Sequence, residues 1–292
     1  MLEIKTIDKL PIGALHRCFL EIMSHHGQVS SFSPEAMMRM NTMRGVDYRA
    51  SLCAMDGDRM VAFILNSVGI WDRKQTAYDI STGIVAEYRP TPLSKELLIR
   101  VKEHLKKFGF KQYMLDVAAE NEKSRSLYRN LGFEETRRFV SMRLYGHPLS
   151  VVRQSTQIDE AKREEWSELR TMMINDNALK PCWLNSWDTF YHMPEAYTVY
   201  VAKIVGEVAG VVIYSQPAGE IHQLWVNSQW RASGVASALL AKVAENSQAG
   251  GTLLWNNIDM RATELLNFLR GRGFEDSVSK TEMSMELFQR QK

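Results

Sequence analysis

The chain of 292 residues has little cysteine: Cys18, Cys53 and Cys182 are three, odd in number and far apart. No disulfide framework or zinc spacing can be built from them, and a reducing compartment becomes the default expectation. An excess of one charge is also missing, with 36 basic residues against 34 acidic and a net charge of +2. Nothing global therefore draws the chain to nucleic acid or to an anionic membrane. No uninterrupted apolar run approaches the ~20 residues of a membrane span. The opening MLEIKTIDKL alternates charge with apolar residues and lacks the apolar core of a signal peptide. These absences predict a cytoplasmic protein with no nucleic acid or membrane partner. Two common phosphate-binding patterns are absent as well, the GxxxxGK[ST] of an NTPase loop and the GxGxxG of a dinucleotide fold.

What is present is a junction at residues 226–240, VNSQWRASGVASALL, where an apolar strand enters a small-residue loop and then an apolar-faced helix. The first NH groups of a helix have no intrahelical partner, and the aligned peptide dipoles add partial positive charge there. Small residues at such a junction let a diphosphate come close to the backbone. An ordinary strand-to-helix turn is the plain alternative for these residues taken alone.

The same architecture occurs twice. Residues 84–98, IVAEYRPTPLSKELL, align without a gap, Tyr88 with Trp230 and Arg89 with Arg231, at an offset of 142 positions. A Gly-Phe pair follows each copy, Gly132-Phe133 and Gly273-Phe274, at an offset of 141. A period this long means two homologous domains rather than a solenoid, whose repeats run about 20 to 50 residues. The expected division is 1–147 and 148–292, with Gly146-His147-Pro148 as the junction.

Each half reads as strands first paired by hairpins and later joined through helices, which predicts an α/β fold with a mixed sheet. In the first half, strands are expected near 2–7, 49–55, 59–68, 76–85, 113–117 and 139–144, with helices at 12–23, from the Ser33-Pro34-Glu35 cap through Met43, after the loop, and at 122–131. In the second, a short strand is expected at 151–153 and the first helix at 159–175. Strands follow at 198–204, 208–214, 220–226 and 253–256, a helix at 261–270, and a last strand at 281–287. The two loop helices carry matching stripes, Ser94, Leu97, Leu98, Val101 and Ala236, Leu239, Leu240, Val243.

Arg231, Gly234 and Ala236, in the order RxxGxA between an apolar strand and an apolar helix, resemble the acetyl-CoA loop of the GNAT acetyltransferase superfamily. The resemblance covers most of the chain as a tandem of two such domains. It implies a cofactor site at Leu224, Trp225, Val226, Arg231, Ala232, Ser233, Gly234, Val235, Ala236 and Ser237. It further implies acetyl-CoA as co-substrate and an amine of a small molecule or peptide as acceptor, in a monomer or homodimer.

The implied reaction needs a base for the amine, an ammonium of pKa ~10.4, and an acid for the leaving thiolate, pKa ~8.5. By the resemblance, a tyrosine on the last helix often serves as acid. The first half has it: Asn121, Ser124, Leu127 and Tyr128 followed by Gly132-Phe133 match NxxAxxLYxxxGF. The first-half loop, however, carries Pro90 and Pro92, which have no NH to offer. The second half has the intact loop but Leu266 or Leu269 at the tyrosine position, depending on the end from which one counts. Glu220 and His222 lie on the strand entering the loop, and strict alternation turns both to one face with Leu224 and Val226. Either could be the base; the plain alternatives are a solvated strand end and a hydrogen-bonded core histidine. Asp79 and Tyr78 hold a similar place in the first half. His25-His26 lacks a third spaced ligand and reads as loop. The aromatic cluster Trp183, Trp187, Phe190, Tyr191 and His192 reads as packing or as the wall of an amine pocket. The competing class is a protein that binds coenzyme A without turnover, or an interaction scaffold.

Overall fold

A computed structural model describes residues 2–25, 32–89, 91–146, 156–176, 179–216, 219–247 and 252–288. The expected strand at 151–153, His26, Pro90 and part of the Gly146-His147-Pro148 junction lie outside the described residues. Among the described residues no helix is long and apolar enough to cross a membrane.

Two compact units emerge. The first comprises Met1–Thr136 with Thr281–Lys292, the second Arg137–Lys280. They do not divide at the expected 147/148 boundary, because the closing strand of each sequence repeat serves the other unit.

The first unit runs β1 (Leu2–Thr6), α1 (Ile12–Ser24), α2 (Pro34–Met43), β2 (Leu52–Asp56), β3 (Arg59–Trp71), β4 (Lys74–Ile84), α3 (Leu93–Lys107), β5 (Gln112–Ala118) and α4 (Glu122–Asn130). Strands β1 to β4 form antiparallel neighbours and β5 joins β4 in parallel, from Thr76–Gln112 to Asp79–Leu115. The Ser33 side chain accepts from the Ala36 NH and Pro34 opens α2, the expected cap.

From Arg137 onward β6 (Glu134–Leu144) belongs to the second unit, followed by β7 (Gln157–Glu160), α5 (Trp166–Asp176), α6 (Trp187–Phe190), β8 (Tyr197–Ile204), β9 (Glu207–Ser215), β10 (Glu220–Val226), α7 (Val235–Asn246), β11 (Leu253–Asp259), α8 (Thr263–Arg270) and the start of β12 (Glu275–Glu286), which passes to the first unit at Thr281. β6 pairs antiparallel with β11, Leu144 opposite Leu253 and Phe139 opposite Asp259. Both units are mixed α/β, as expected.

The exchanged strands are legible in the cores. Val140, Met142 and Leu144, on one face at the two-residue strand period, pack into the second unit's core. Met283, Met285 and Leu287 do the same for the first unit's core.

Two expectations need correction. Residues 157–160 form a strand against β8, Gln157 opposite Lys203 through Glu160 opposite Tyr200, and the helix begins only at Trp166. Edge pairing here overrides the helical reading of an acidic segment. The stripes of α3 and α7 also begin one residue earlier than expected: Leu93 and Val235 are buried, whereas Ser94 and Ala236 are half-exposed.

Candidate functional site

The site is made where two parallel strands part. β10 and β11 pair at Glu220–Leu254 and Ile221–Trp255, beyond which they diverge. On its other side β10 bulges against β9: Ile221 faces Tyr214 and Gln223 faces Ile213, so His222 is the extra residue. The wedge opens into a cavity of about 810 Å³ in the second unit, walled by residues 222–226 of β10, residues 231–237 of the loop, the end of β11 and α8.

The loop is built to present main-chain NH groups. Ala232 and Gly234 adopt left-handed conformations, φ 59° and 89°, which turns successive amides toward one side. Ala238 makes the first intrahelical bond, to the Gly234 carbonyl at 3.0 Å. The NH groups of Val235, Ala236 and Ser237 therefore precede the helix's own ladder. No side chain caps α7 and its first turn holds no acidic residue. The Ser237 hydroxyl is buried, lies on the cavity wall and has no hydrogen-bond partner among the described residues. A buried hydroxyl without a partner costs roughly 1 to 3 kcal/mol, so this end of the cavity fits an anionic group. The first unit differs at the same place: Thr91 accepts from the Leu93 NH at 3.3 Å and Pro92 stands at the cap.

All ten residues expected around the cofactor wall this cavity, but three are engaged elsewhere. Arg231 pairs with Asp176 at the end of α5 (3.3 Å), which also accepts from the Trp225 indole at 2.8 Å. Ser233 donates to the Trp230 carbonyl at 2.5 Å.

The expected acid and bases scatter. The bulge breaks the alternation that would have put Glu220 and His222 on one face with Leu224 and Val226, which pack against the second unit's core. Glu220 accepts from Asn256 Nδ2 at 2.7 Å and is not part of the cavity wall, while His222 is. His222 is buried between Asn185 Oδ1 and Ser215 Oγ, each 3.0 Å from a ring nitrogen, with Phe190 and Tyr197 packed edge-on. Burial pushes its pKa down, against the neighbouring Glu220 charge.

Tyr128 belongs to the first unit. Burial raises its pKa, with Asp79 adding to the shift and Thr82 opposing it. Thr82 donates to Asp79 at 2.6 Å, and burial pushes the Asp79 carboxyl up to about 7. The bulge in β4 between Asp79 and Ser81 matches that in β10 between Ile221 and Gln223, so Ile221 is the counterpart of Asp79. The second unit thus holds Ile221 and Leu269 where the first holds Asp79 and Tyr128.

The sequence reading missed Asn185, Ser215 and the Asp259–Arg261 pair. Asp259 lies on the cavity wall, bonds Arg261 at 3.0 and 2.7 Å, and pairs with Arg137 at 3.6 Å. A one-residue acid-to-arginine spacing could have suggested that pair; no local signal marks the other two.

The family model described as "Acetyltransferase (GNAT) family" matches residues 18–133 and again residues 158–274. No curated protein matches the chain. Among solved structures, one named as a tandem GNAT protein from the clavulanic acid biosynthesis pathway superposes with a TM-score of 0.74 at 13% identity, over 99% of this chain and 100% of its own. A GCN5-related N-acetyltransferase from Sphaerobacter thermophilus gives 0.70 at 15% identity, over 99% and 96%. A putative acetyltransferase from Pyrococcus horikoshii gives 0.66 at 15%, over 98% and 89%. At these identities the likeness is one of fold.

Proposed function

The chain belongs to the GNAT acetyltransferase family, and from that premise we propose that its second unit takes acetyl-CoA into the wedge between β10 and β11 and passes the acetyl group to an amine of a small molecule or peptide. The carrying observation is the opening of α7, where the NH groups of Val235, Ala236 and Ser237 precede the helical ladder and the Ser237 hydroxyl, without a partner among the described residues, borders the same cavity. Each NH directed at a charged oxygen contributes roughly 1.5 to 3 kcal/mol, enough together to seat a diphosphate.

When bound, the coenzyme supplies an acyl group activated as a thioester. The protein's share is to hold it and to manage protons. Of the two expected bases His222 remains, since Glu220 is held by Asn256 off the cavity wall. Burial keeps the imidazole in its neutral, proton-accepting form. For it to act, the Ser215 hydroxyl must turn away from the ring. Leu269 has no proton to give, so a thiolate of pKa ~8.5 is protonated from solvent, which is tolerable near neutrality. The buried cysteines Cys18, Cys53 and Cys182 form no disulfide among the described residues, which fits the cytoplasmic setting expected from the sequence.

A second reading is favoured by one observation. With Ile221 and Leu269 in place of a carboxylate and a phenol, the second unit can bind coenzyme A and act as a sensor without turnover.

Calorimetric titration with acetyl-CoA, followed by thiol release on a panel of amines, separates the readings. Gly234→Pro is the control, because proline cannot adopt the +89° φ of that residue. Binding lost in Gly234→Pro together with turnover supports the enzyme. Binding without turnover on any amine supports the sensor. No binding in the unaltered protein overturns both.

A further inference from the structure

Asn185 lies in the aromatic segment between α5 and α6, buried to 4% exposure, at the place where β10 and β11 separate. Strands that part lose ladder partners, and a buried backbone group left unpaired is costly. Asn185 takes up that role from the side. Its Nδ2 donates to the Asn256 carbonyl on β11 at 2.8 Å. Its own carbonyl accepts from Gln223 Nε2 on β10 at 2.5 Å. The side-chain oxygen meets His222 Nδ1 at 3.0 Å.

These partners fix the protons. A backbone carbonyl requires a donor, so the amide nitrogen faces Asn256 and the amide oxygen faces His222. An oxygen without hydrogen requires Nδ1 to carry one. A neutral imidazole then has its lone pair on Nε2, where the Ser215 hydroxyl donates at 3.0 Å.

We propose that Asn185 is a positioning residue of the cleft: it pins β10 to β11 at the mouth of the wedge and locks His222 in the Nδ1-protonated tautomer. The role in acyl transfer rests on the function proposed above; the tautomer does not. The floor of the wedge is thereby a neutral, fully bonded surface. It orders the thioester end of the cavity and leaves the diphosphate end to α7.

The test uses the full chain with histidine ring nitrogens labelled, observed by NMR at about pH 7.5, where a neutral ring shows its tautomer. His222 is assigned by its loss in His222→Gln. The expected result is the Nδ1–H form in the unaltered protein and in Ser215→Ala, and a mixed or Nε2–H form in Asn185→Leu. In parallel, Asn185→Leu should bind acetyl-CoA about tenfold more weakly while its affinity for ADP, which carries the diphosphate without the thioester arm, is unchanged. The proposal is overturned by an Nδ1–H form that survives Asn185→Leu. It is equally overturned by a tautomer that changes in Ser215→Ala, a variant that decides the matter even if Asn185→Leu does not fold. Equal weakening toward acetyl-CoA and ADP overturns the division of the cavity into two ends. If the unaltered protein binds no acetyl-CoA yet shows these tautomers, the functional reading fails and the pin stands.

Discussion

Tyr128 and Leu269 occupy the same position in the two halves of the chain. Each gives its carbonyl to the NH of a Gly-Phe phenylalanine, Phe133 at 3.0 Å and Phe274 at 3.1 Å. Of the two leucines that counting allowed, the hydrogen bond selects Leu269. The pair separates two kinds of chemistry: the phenol stands in the unit whose loop binds the Leu93 NH through Thr91, and the leucine stands in the unit whose loop opens on the cavity.

Tyr128→Phe is therefore expected to leave coenzyme affinity and any acyl transfer within about twofold of the unaltered protein, a difference well under 1 kcal/mol in the barrier. Steady-state kinetics check this. A loss of a hundredfold or more would move the chemistry into the first unit and overturn the assignment to the second.

Asp79 makes the first unit sensitive to pH. Its carboxyl, ordinarily near 3.8, is raised by burial to about 7. The folded state thus binds a proton that the unfolded state has already released, and the stability this gives is full below about 4 and lost as pH rises through about 7. The difference amounts to something on the order of 4 kcal/mol. Denaturant melts at pH 5 and pH 8 should show the first unit weaker at the higher pH, and Asp79→Asn should flatten that dependence. A melt that strengthens as pH rises across this range would refute the burial argument.

Much of this fold was legible because its signals are local. The RxxGxA loop, the apolar stripes of the two loop helices, read one residue late at their start, and the Gly-Phe pairs each depend on residues within a few turns of one another. The sharing of the closing strands was not. Val140, Met142 and Leu144 alternate as Met283, Met285 and Leu287 do, and alternation says which face is buried but not in which core. The bulge at His222 escaped for a related reason, since one extra residue in β10 leaves no mark on composition yet reverses which side chains share a face. Asn185 carries no sequence signal because its three partners come from distant strands.

Ser237 offers a test in which stability and binding move in opposite directions. Its hydroxyl is buried without a partner among the described residues, so Ser237→Ala should hold or raise the melting temperature, since it removes an unsatisfied group. With coenzyme present, the same change deletes a donor to a charged oxygen, and affinity should fall about tenfold or more. Thermal shift with and without acetyl-CoA reads both at once. A variant that melts earlier while binding normally would mean that the hydroxyl is structural.

The strand exchange predicts damage at a distance along the sequence. Met283 is fully buried and lies in the second sequence repeat, yet it packs into the first unit's core. Met283→Ala leaves a cavity there at a cost of about 2 to 5 kcal/mol. Hydrogen exchange should therefore show lost protection in β3, β4 and β5, with β9, β10 and β11 close to unchanged. Met142, equally buried in the first repeat, should give the reciprocal pattern as Met142→Ala, because its side chain completes the second unit's core. Were each variant instead to loosen the strands of its own repeat, the two halves would have to fold as the sequence is written, and the division at Thr136 and Thr281 would fall.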